Sequence, residues 1–319
     1  MDYLLLIVGF TLLIKGADWM VRSASELARS FGVSTMIIGL TVIAIGTSLP
    51  EAAIGVMASI NQTNQITLGT VIGSSIANIT FIIGVAAIMH PLKVEPASLS
   101  RDIPLAFLTQ IVFLLFLLTG RGINRLEAVM LLVAFVGFLV YLGKSAGTAK
   151  RLLGDTQEES VDEKRFIRDN RWKHIIITLG GLACVALGSE LVVDNARKIA
   201  MKIGLSEAVI GVTIVALGTS LPELVVGIVS VSHKEHELMV GNIIGSNIFN
   251  ILFVLGISAT IHPIDAPAGI WVNLVSMFLA MLVFWGLALR NRHISRMEGI
   301  ILLSLYLVFL GMTITVALF

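Results

Sequence analysis

The feature that most constrains this chain is that it repeats itself. Residues 38–51 read IGLTVIAIGTSLPE and residues 210–223 read IGVTIVALGTSLPE, with ten of the fourteen positions identical at an offset of 172. The same offset aligns GTVIGSSIANITFIIG at 69–84 with GNIIGSNIFNILFVLG at 241–256. It also pairs His90-Pro91 with His262-Pro263, and Gly16-Ala17-Asp18 with Gly188-Ser189-Glu190, with no gap from residue 16 to residue 91. Self-similarity of this length marks a duplicated unit, and any fold must use both copies.

Composition fixes the solvent. Hydrophobic residues make up 56% of the chain and charged residues 13%, about half the charged fraction of a soluble domain. Ten segments are long and apolar enough to span a bilayer, which takes about 20 such residues. They lie near 3–29, 34–60, 66–89, 103–120, 123–143, 172–200, 206–231, 238–261, 269–289 and 296–318. The first contains Lys15 and Asp18 and outruns a signal peptide, so it reads as a span. The one long polar stretch, 144–171, divides the spans five and five. The expected organisation is a first repeat at 1–143, a cytoplasmic linker at 144–171 and a second repeat at 172–319. Net charge is +1 with no basic patch, which gives no reason to expect a nucleic-acid partner. The single Cys184 excludes a disulfide framework or a cysteine-based metal cluster.

Five spans per copy is an odd number, so the second copy enters the membrane from the opposite side. The expected fold is all-α and integral to the membrane, with ten transmembrane helices in two inverted repeats. Inverted repeats with interrupted helices at matching positions characterise secondary transporters, whose site lies near the bilayer midplane. Lys and Arg favour the cytoplasm. An outside N-terminus places sixteen of them inside and five outside, with Lys15 unassigned. Both termini are therefore expected outside and the central linker inside.

The chemistry sits in the breaks. Pro50 lacks an N–H, so the carbonyl four residues earlier, that of Gly46, loses its helical partner; Pro222 does the same to Gly218. A freed acceptor in hydrocarbon needs an internal donor or a hydrated cavity. Thr47 and Ser48 fall four and three residues before Glu51, so hydroxyls and carboxylate can share one side. A carboxylate at mid-span costs about 2.5–3.5 kcal/mol on insertion scales. This chain carries two in equivalent places, Glu51 and Glu223, and a bound cation is the simplest compensation. Oxygen-only ligation suits Ca2+, which takes six to eight oxygens, whereas the lack of a histidine or thiol cluster argues against zinc, copper or nickel. Ser74 and Asn78, like Ser246 and Asn250, lie four apart, and Gly69, Gly73, Gly241 and Gly245 permit close helix approach. These pairs are open to two readings, cation ligation or interhelical hydrogen bonding.

On these motifs the chain resembles prokaryotic sodium/calcium exchangers of the calcium/cation antiporter superfamily over essentially its whole length. The resemblance implies that the second, third, seventh and eighth spans form the ion-binding core and that the long first and sixth slide against it. It implies a site of Ala44, Thr47, Ser48, Glu51, Ser74 and Asn78 with Ala216, Thr219, Ser220, Glu223, Ser246 and Asn250, the two alanines giving backbone carbonyls only. The potassium-dependent branch carries Asp where this chain has Asn250, which argues against potassium co-transport.

The resulting expectation is a plasma-membrane antiporter that exchanges Na+ for Ca2+ by alternating access. It needs no cofactor and no obligatory protein partner, and it has the lipid bilayer as its surroundings. An unoccupied site would leave two carboxylates unpaired in low dielectric, which penalises crossing without cargo. A proton-coupled Ca2+ antiporter is the alternative within transport. A channel also uses acidic rings and carbonyls, but a duplicated chain of opposed topology fits alternating access better. An enzyme would need a nucleophile and base or an activated metal water, and the polar clusters here are symmetric oxygen cages. Asp18 and Glu190 read as partnered structural carboxylates. The His-Pro pairs read as span ends, His233 and His236 as solvated, and the acidic run Asp155, Glu158, Glu159, Asp162 and Glu163 as part of a linker without an EF-hand pattern.

Overall fold

A computed structural model describes residues 1–120, 122–153, 171–204, 216–267 and 269–318. The helices are α1 (Asp2–Phe31), α2 (Thr35–Thr47), α3 (Leu49–Ile60), α4 (Gln65–Met89), α5 (Ser98–Thr119) and α6 (Arg125–Leu153) in the first half. In the second half they are α7 (Arg171–Lys202), α8 (Ala216–Thr219), α9 (Leu221–Ser232), α10 (His236–Ile261), α11 (Ile270–Asn291) and α12 (Arg296–Leu318). Eight of these are long and apolar enough to cross a membrane, or nine if the bent pair α2 and α3 is one span. Of the expected seventh span, α8 and α9 are seen, and residues 205–215 lie outside the described residues. Large apolar side chains such as Leu4, Ile7, Val133 and Val275 are exposed along the spans, as lipid-facing surfaces require.

Local sequence explains the boundaries. The helices restart at Leu49 and Leu221 with Pro50 and Pro222 in their first turns, where a missing N–H costs nothing. His90 and His262 end α4 and α10 in extended conformations, φ −142° in both, as the His-Pro pairs led us to expect. The fifth and last spans open with reciprocal caps. Asn124 Oδ1 accepts from the N–H of Glu127 while Glu127 Oε2 accepts from the N–H of Asn124, and Ser295 and Glu298 repeat the exchange. The stretch read as a linker begins inside α6, which continues to Leu153. Lys144, Lys150 and Arg151 are good helix formers, so the helix does not stop where the apolar run stops. The acidic run lies outside the described residues.

Among the described residues, four π-helical segments interrupt the α-helical ladder, at Gly39–Ile43 in α2, Ala77–Ile82 in α4, Ser98–Asp102 opening α5 and Asn250–Val254 in α10.

The chain divides into two compact units. One comprises Met1–Thr47 and Val136–Asn242. Its centre is the packing of α1 on α7, where glycines allow the backbones to touch. A Cβ added at Gly16 would stand 2.8 Å from the Gly181 carbonyl, and one at Gly188 would stand 2.8 Å from the Gly9 carbonyl. The offset of 172 exchanges these two contacts. Leu13, Ala17, Met20, Val21 and Ala24 of α1 form the buried core there with Val185 of α7 and Val226 of α9.

The other unit comprises Ser48–Phe135 and Ile243–Phe319. Its α3, α4 and the π segment of α10 pack on one another, and α12 packs along the second half of α4. Two short antiparallel ribbons tie its loops. Strand β1 (Leu92–Lys93) pairs with β4 (His293–Ile294), and β2 (Gly122–Ile123) pairs with β3 (Ile264–Asp265). Each ribbon joins one strand from each half of the sequence.

Candidate functional site

The two GTSLPE segments adopt the same local conformation. Ser48 has φ −90° and ψ 9°, and Ser220 has φ −90° and ψ 7°. Both lie near the bridge region between β and α, which breaks the helix for one residue before it resumes. Glu51 and Glu223 follow in the first turn of the resumed helices, each only 1% exposed.

In the first unit the break in α2 presents Ala44 and Thr47, both buried. Thr47 Oγ1 reaches the Ala44 carbonyl at 3.4 Å and donates to Asn242 Oδ1 of α10 at 3.1 Å. The close crossing of α2 and α10 makes this possible. A Cβ at Gly39 would stand 2.6 Å from the Leu238 carbonyl, and one at Gly241 would stand 2.6 Å from the Met36 carbonyl. The expected approach at Gly241 is thus present. Among the described residues nothing approaches Gly69 or Gly73. The break of the second half, α8 and α9, supplies the Ala216 backbone, half-buried Thr219, and buried Ser220 and Glu223. Helix α9 packs on the end of α2 that carries Ala44 and Thr47. The Gly218 carbonyl, freed by Pro222, accepts a hydrogen bond from Ser189 of α7 at 3.3 Å.

In the second unit three elements bring the remaining candidates together. Glu51 of α3 accepts from Ser74 Oγ of α4 at 3.4 Å. Asn78, the second residue of its π segment, donates through Nδ2 to Asn247 Oδ1 of α10 at 3.0 Å. Ser246 and Asn250 lie on α10, with Asn250 opening its π segment. Asn78 Oδ1, Ser246 Oγ and both amide atoms of Asn250 are buried without a hydrogen-bond partner among the described residues. An orphaned buried polar atom costs about 1–3 kcal/mol, so a cluster of them beside a buried carboxylate calls for a ligand that supplies their partners. Every candidate with a described side chain is buried except half-buried Thr219; Ala216 is placed through its backbone alone.

Asn242 and Asn247 were missed by the sequence reading, although a signal existed. The offset of 172 pairs them with Thr70 and Ser75, polar in both copies. Three of the four π segments among the described residues adjoin or contain candidates, ending before Ala44, holding Asn78 and starting at Asn250. Such segments recur at functional positions because they shift the helical register and release backbone acceptors. Asp18 is partnered as expected, by Arg22 at 3.1 Å and by His233 Nε2 at 2.7 Å. His233 is therefore drawn into a side-chain contact, where solvation was expected. Glu190, its counterpart by sequence, is exposed and makes no ion pair among the described residues.

A family model for sodium/calcium exchanger proteins matches residues 1–144 and 173–315. The chain belongs to the sodium/calcium exchanger family. It is a multi-pass membrane transporter rather than an enzyme. Among the relatives of this exchanger is the inner membrane protein YrbG of Escherichia coli, 37% identical over 276 residues, covering 85% of this chain and 84% of the relative. The sodium/calcium exchanger MaX1 of Methanosarcina acetivorans is 34% identical over 300 residues, covering 84% and 86%. The solved structure of the sodium-calcium exchanger NCX_Mj soaked with 2.5 mM Na+ and 1 mM Sr2+ superimposes with a TM-score of 0.83 at 32% identity, covering 97% of each chain.

Proposed function

We propose that this chain exchanges Na+ for Ca2+ across the plasma membrane by alternating access, and that its fold is ten spans in two inverted repeats. One observation carries the ion reading: Glu51 is fully buried and its hydrogen-bonded neighbour Ser74 lies on the same helix as Asn78, whose amide oxygen has no partner among the described residues. A carboxylate so placed is costly unless a cation joins it, and hard oxygens from carboxylate, hydroxyl and amide are the donors Ca2+ takes.

The ligands we assign are those the motifs indicate. In the first unit these are Ala44, Thr47, Ala216, Thr219, Ser220 and Glu223. In the second they are Ser48, Glu51, Ser74, Asn78, Ser246 and Asn250. Ca2+ and Na+ compete for these oxygens. A bound cation offsets the charge of the two carboxylates, which favours crossing with cargo. The matched backbone angles at Ser48 and Ser220, and the paired glycine contacts of α1 and α7, support the repeat. The bias of Lys and Arg supports termini outside and the central segment in the cytoplasm. The similarity to the named exchangers favours sodium as the counter-ion.

The test is Ca2+ uptake by purified protein in sodium-loaded liposomes diluted into sodium-free buffer. Uptake that requires the outward sodium gradient is expected. Uptake that ignores sodium and follows a pH gradient would move the chain to proton-coupled exchange.

A further inference from the structure

We propose that the ribbon of β1 and β4 is a docking site for the headgroup of an anionic phospholipid of the surrounding membrane. The ribbon gathers four helix ends of one unit: β1 lies between α4 and α5, and β4 joins α11 to α12. The pairing sets Lys93 opposite His293, and the Val94 N–H donates to the Arg292 carbonyl at 2.9 Å. Arg290 lies in the last turn of α11, and Arg296 opens α12. The start of α12 lies against the end of α4, since a Cβ at Gly299 would stand 2.8 Å from the Gly84 carbonyl. Lys93, Arg290, Arg292 and Arg296 are thus drawn from both halves of the sequence to one end of the unit.

All four are exposed, and none makes an ion pair among the described residues. The acids of the same segments do not cancel them. Asp102 is taken by Arg101 at 2.6 and 3.0 Å, and Glu298 accepts from Ser295, which leaves Glu95 against four cations. The bias of Lys and Arg toward one side of a membrane accounts for the sign of the charge but not for its being unpaired. Arg22 and Arg29, which the sequence assigns to the same side, are paired with Asp18 at 3.1 Å and with Glu26 at 3.2 Å. On the second ribbon the offset of 172 puts Asp265 where this one has Lys93.

The neighbours of the cations select the partner. Leu289 precedes Arg290 and Met297 follows Arg296, and both are exposed on helices apolar enough to cross a membrane. A free anion gains nothing from such neighbours. A phospholipid uses both: guanidinium forks take its phosphate oxygens in pairs, and its acyl chains lie along the apolar side chains. Basic clusters at the ends of spans hold anionic headgroups in this way.

Arg292 offers a variant that separates binding from folding. It holds φ 56° and ψ 21°, a left-handed conformation that suits glycine better than arginine. Its backbone bonds to Ala288 and Val94 need no side chain. Arg292→Gly therefore keeps the ribbon and removes one guanidinium.

Native mass spectrometry of the purified full-length protein, titrated with phosphatidylglycerol or with neutral phosphatidylcholine, gives the dissociation constant of the first lipid bound. Phosphatidylglycerol is expected to bind the parent more tightly than phosphatidylcholine. Arg292→Gly should weaken phosphatidylglycerol about fivefold, the worth of one cation at a membrane surface, leave phosphatidylcholine unchanged and not lower the thermal unfolding temperature. Lys93→Gln should weaken it comparably and serves if Arg292→Gly does not fold. Arg197→Gln with Lys198→Gln, which removes two exposed cations from α7, should leave it unchanged. Equal binding of the two lipids by the parent overturns the site, as does an unchanged constant in both ribbon variants or an equal loss in the α7 control. Inorganic phosphate that displaces phosphatidylglycerol as effectively as that lipid itself would mark a free-anion site and overturn the lipid.

Discussion

The hydroxyl of Ser189 donates to the carbonyl of Gly218, the acceptor that Pro222 leaves without an N–H. The first half has Ala17 at the matching position, so only one of the two breaks is closed this way. Ser189→Ala strips a buried acceptor of its donor, at a cost of about 1–3 kcal/mol. A lower thermal unfolding temperature in detergent is expected. An unchanged one would mean that another donor reaches Gly218.

Glu51→Gln and Glu223→Gln remove charge while keeping shape at the two most enclosed carboxylates in the repeated segments. Each is expected to reduce sodium-driven Ca2+ uptake to background without lowering the unfolding temperature. Retained uptake in either well-folded variant would count against the assigned ligands.

Gly180 and Gly181 are consecutive on α7 and should respond in opposite ways. A Cβ at Gly181 would stand 2.7 Å from the Gly16 carbonyl and 2.9 Å from Met20 Cβ, while one at Gly180 meets nothing among the described residues. Gly181→Ala is expected to destabilise by about 1–3 kcal/mol through overpacking. Gly180→Ala should be neutral or stabilising by up to about 1 kcal/mol. Parallel thermal melts decide the point.

Asn64 fastens the turn between α3 and α4 to the end of α10. Its Nδ2 lies 2.9 Å from His262 Nδ1, 2.9 Å from the His262 carbonyl and 2.8 Å from the Pro263 carbonyl. Asn64→Asp replaces the donor with an oxygen facing those acceptors. It should destabilise by at least as much as Asn64→Ala, with a loss of about 2 kcal/mol or more. Amide exchange in residues 61–65 and 261–265 is expected to quicken first, and equal protection in variant and parent would refute the fastening.

Much of the fold could be read from the sequence because hydrocarbon is an undemanding solvent to recognise. Long, predominantly apolar runs gave α1, α4, α7 and α10 nearly to the residue, and Pro50 and Pro222 marked the breaks. Thr47, Ser48 and Glu51 and their counterparts stood out by one-turn spacing, whereas Ala44, Ala216 and the reading of the Ser and Asn pairs as ligands came from the resemblance to the exchangers. Neither gave the partners. His233 meets Asp18 across 215 residues and Asn247 meets Asn78 across 169, and no periodicity reaches that far. The π segments at Gly39–Ile43 and Asn250–Val254 have no compositional mark, since one extra residue per turn leaves the apolar run intact. The helical continuation of α6 past residue 143 was hidden for the opposite reason: polar residues there ended the apolar run without ending the helix.

The crossed ribbons bear on the order in which the protein can be built. Strand β1 finds its partner β4 only when residues 293–294 exist, about 200 residues after Leu92 has been made. At the usual pace of about 5–20 residues per second, that is roughly 10–40 s of synthesis. During that interval the loop after α4 has an edge and no mate. Gly122 waits in the same way for Asp265. Maturation of the early helices is thereby timed by the arrival of the late ones, and a ribosome that stalls in the second half leaves an open first half rather than a finished smaller protein.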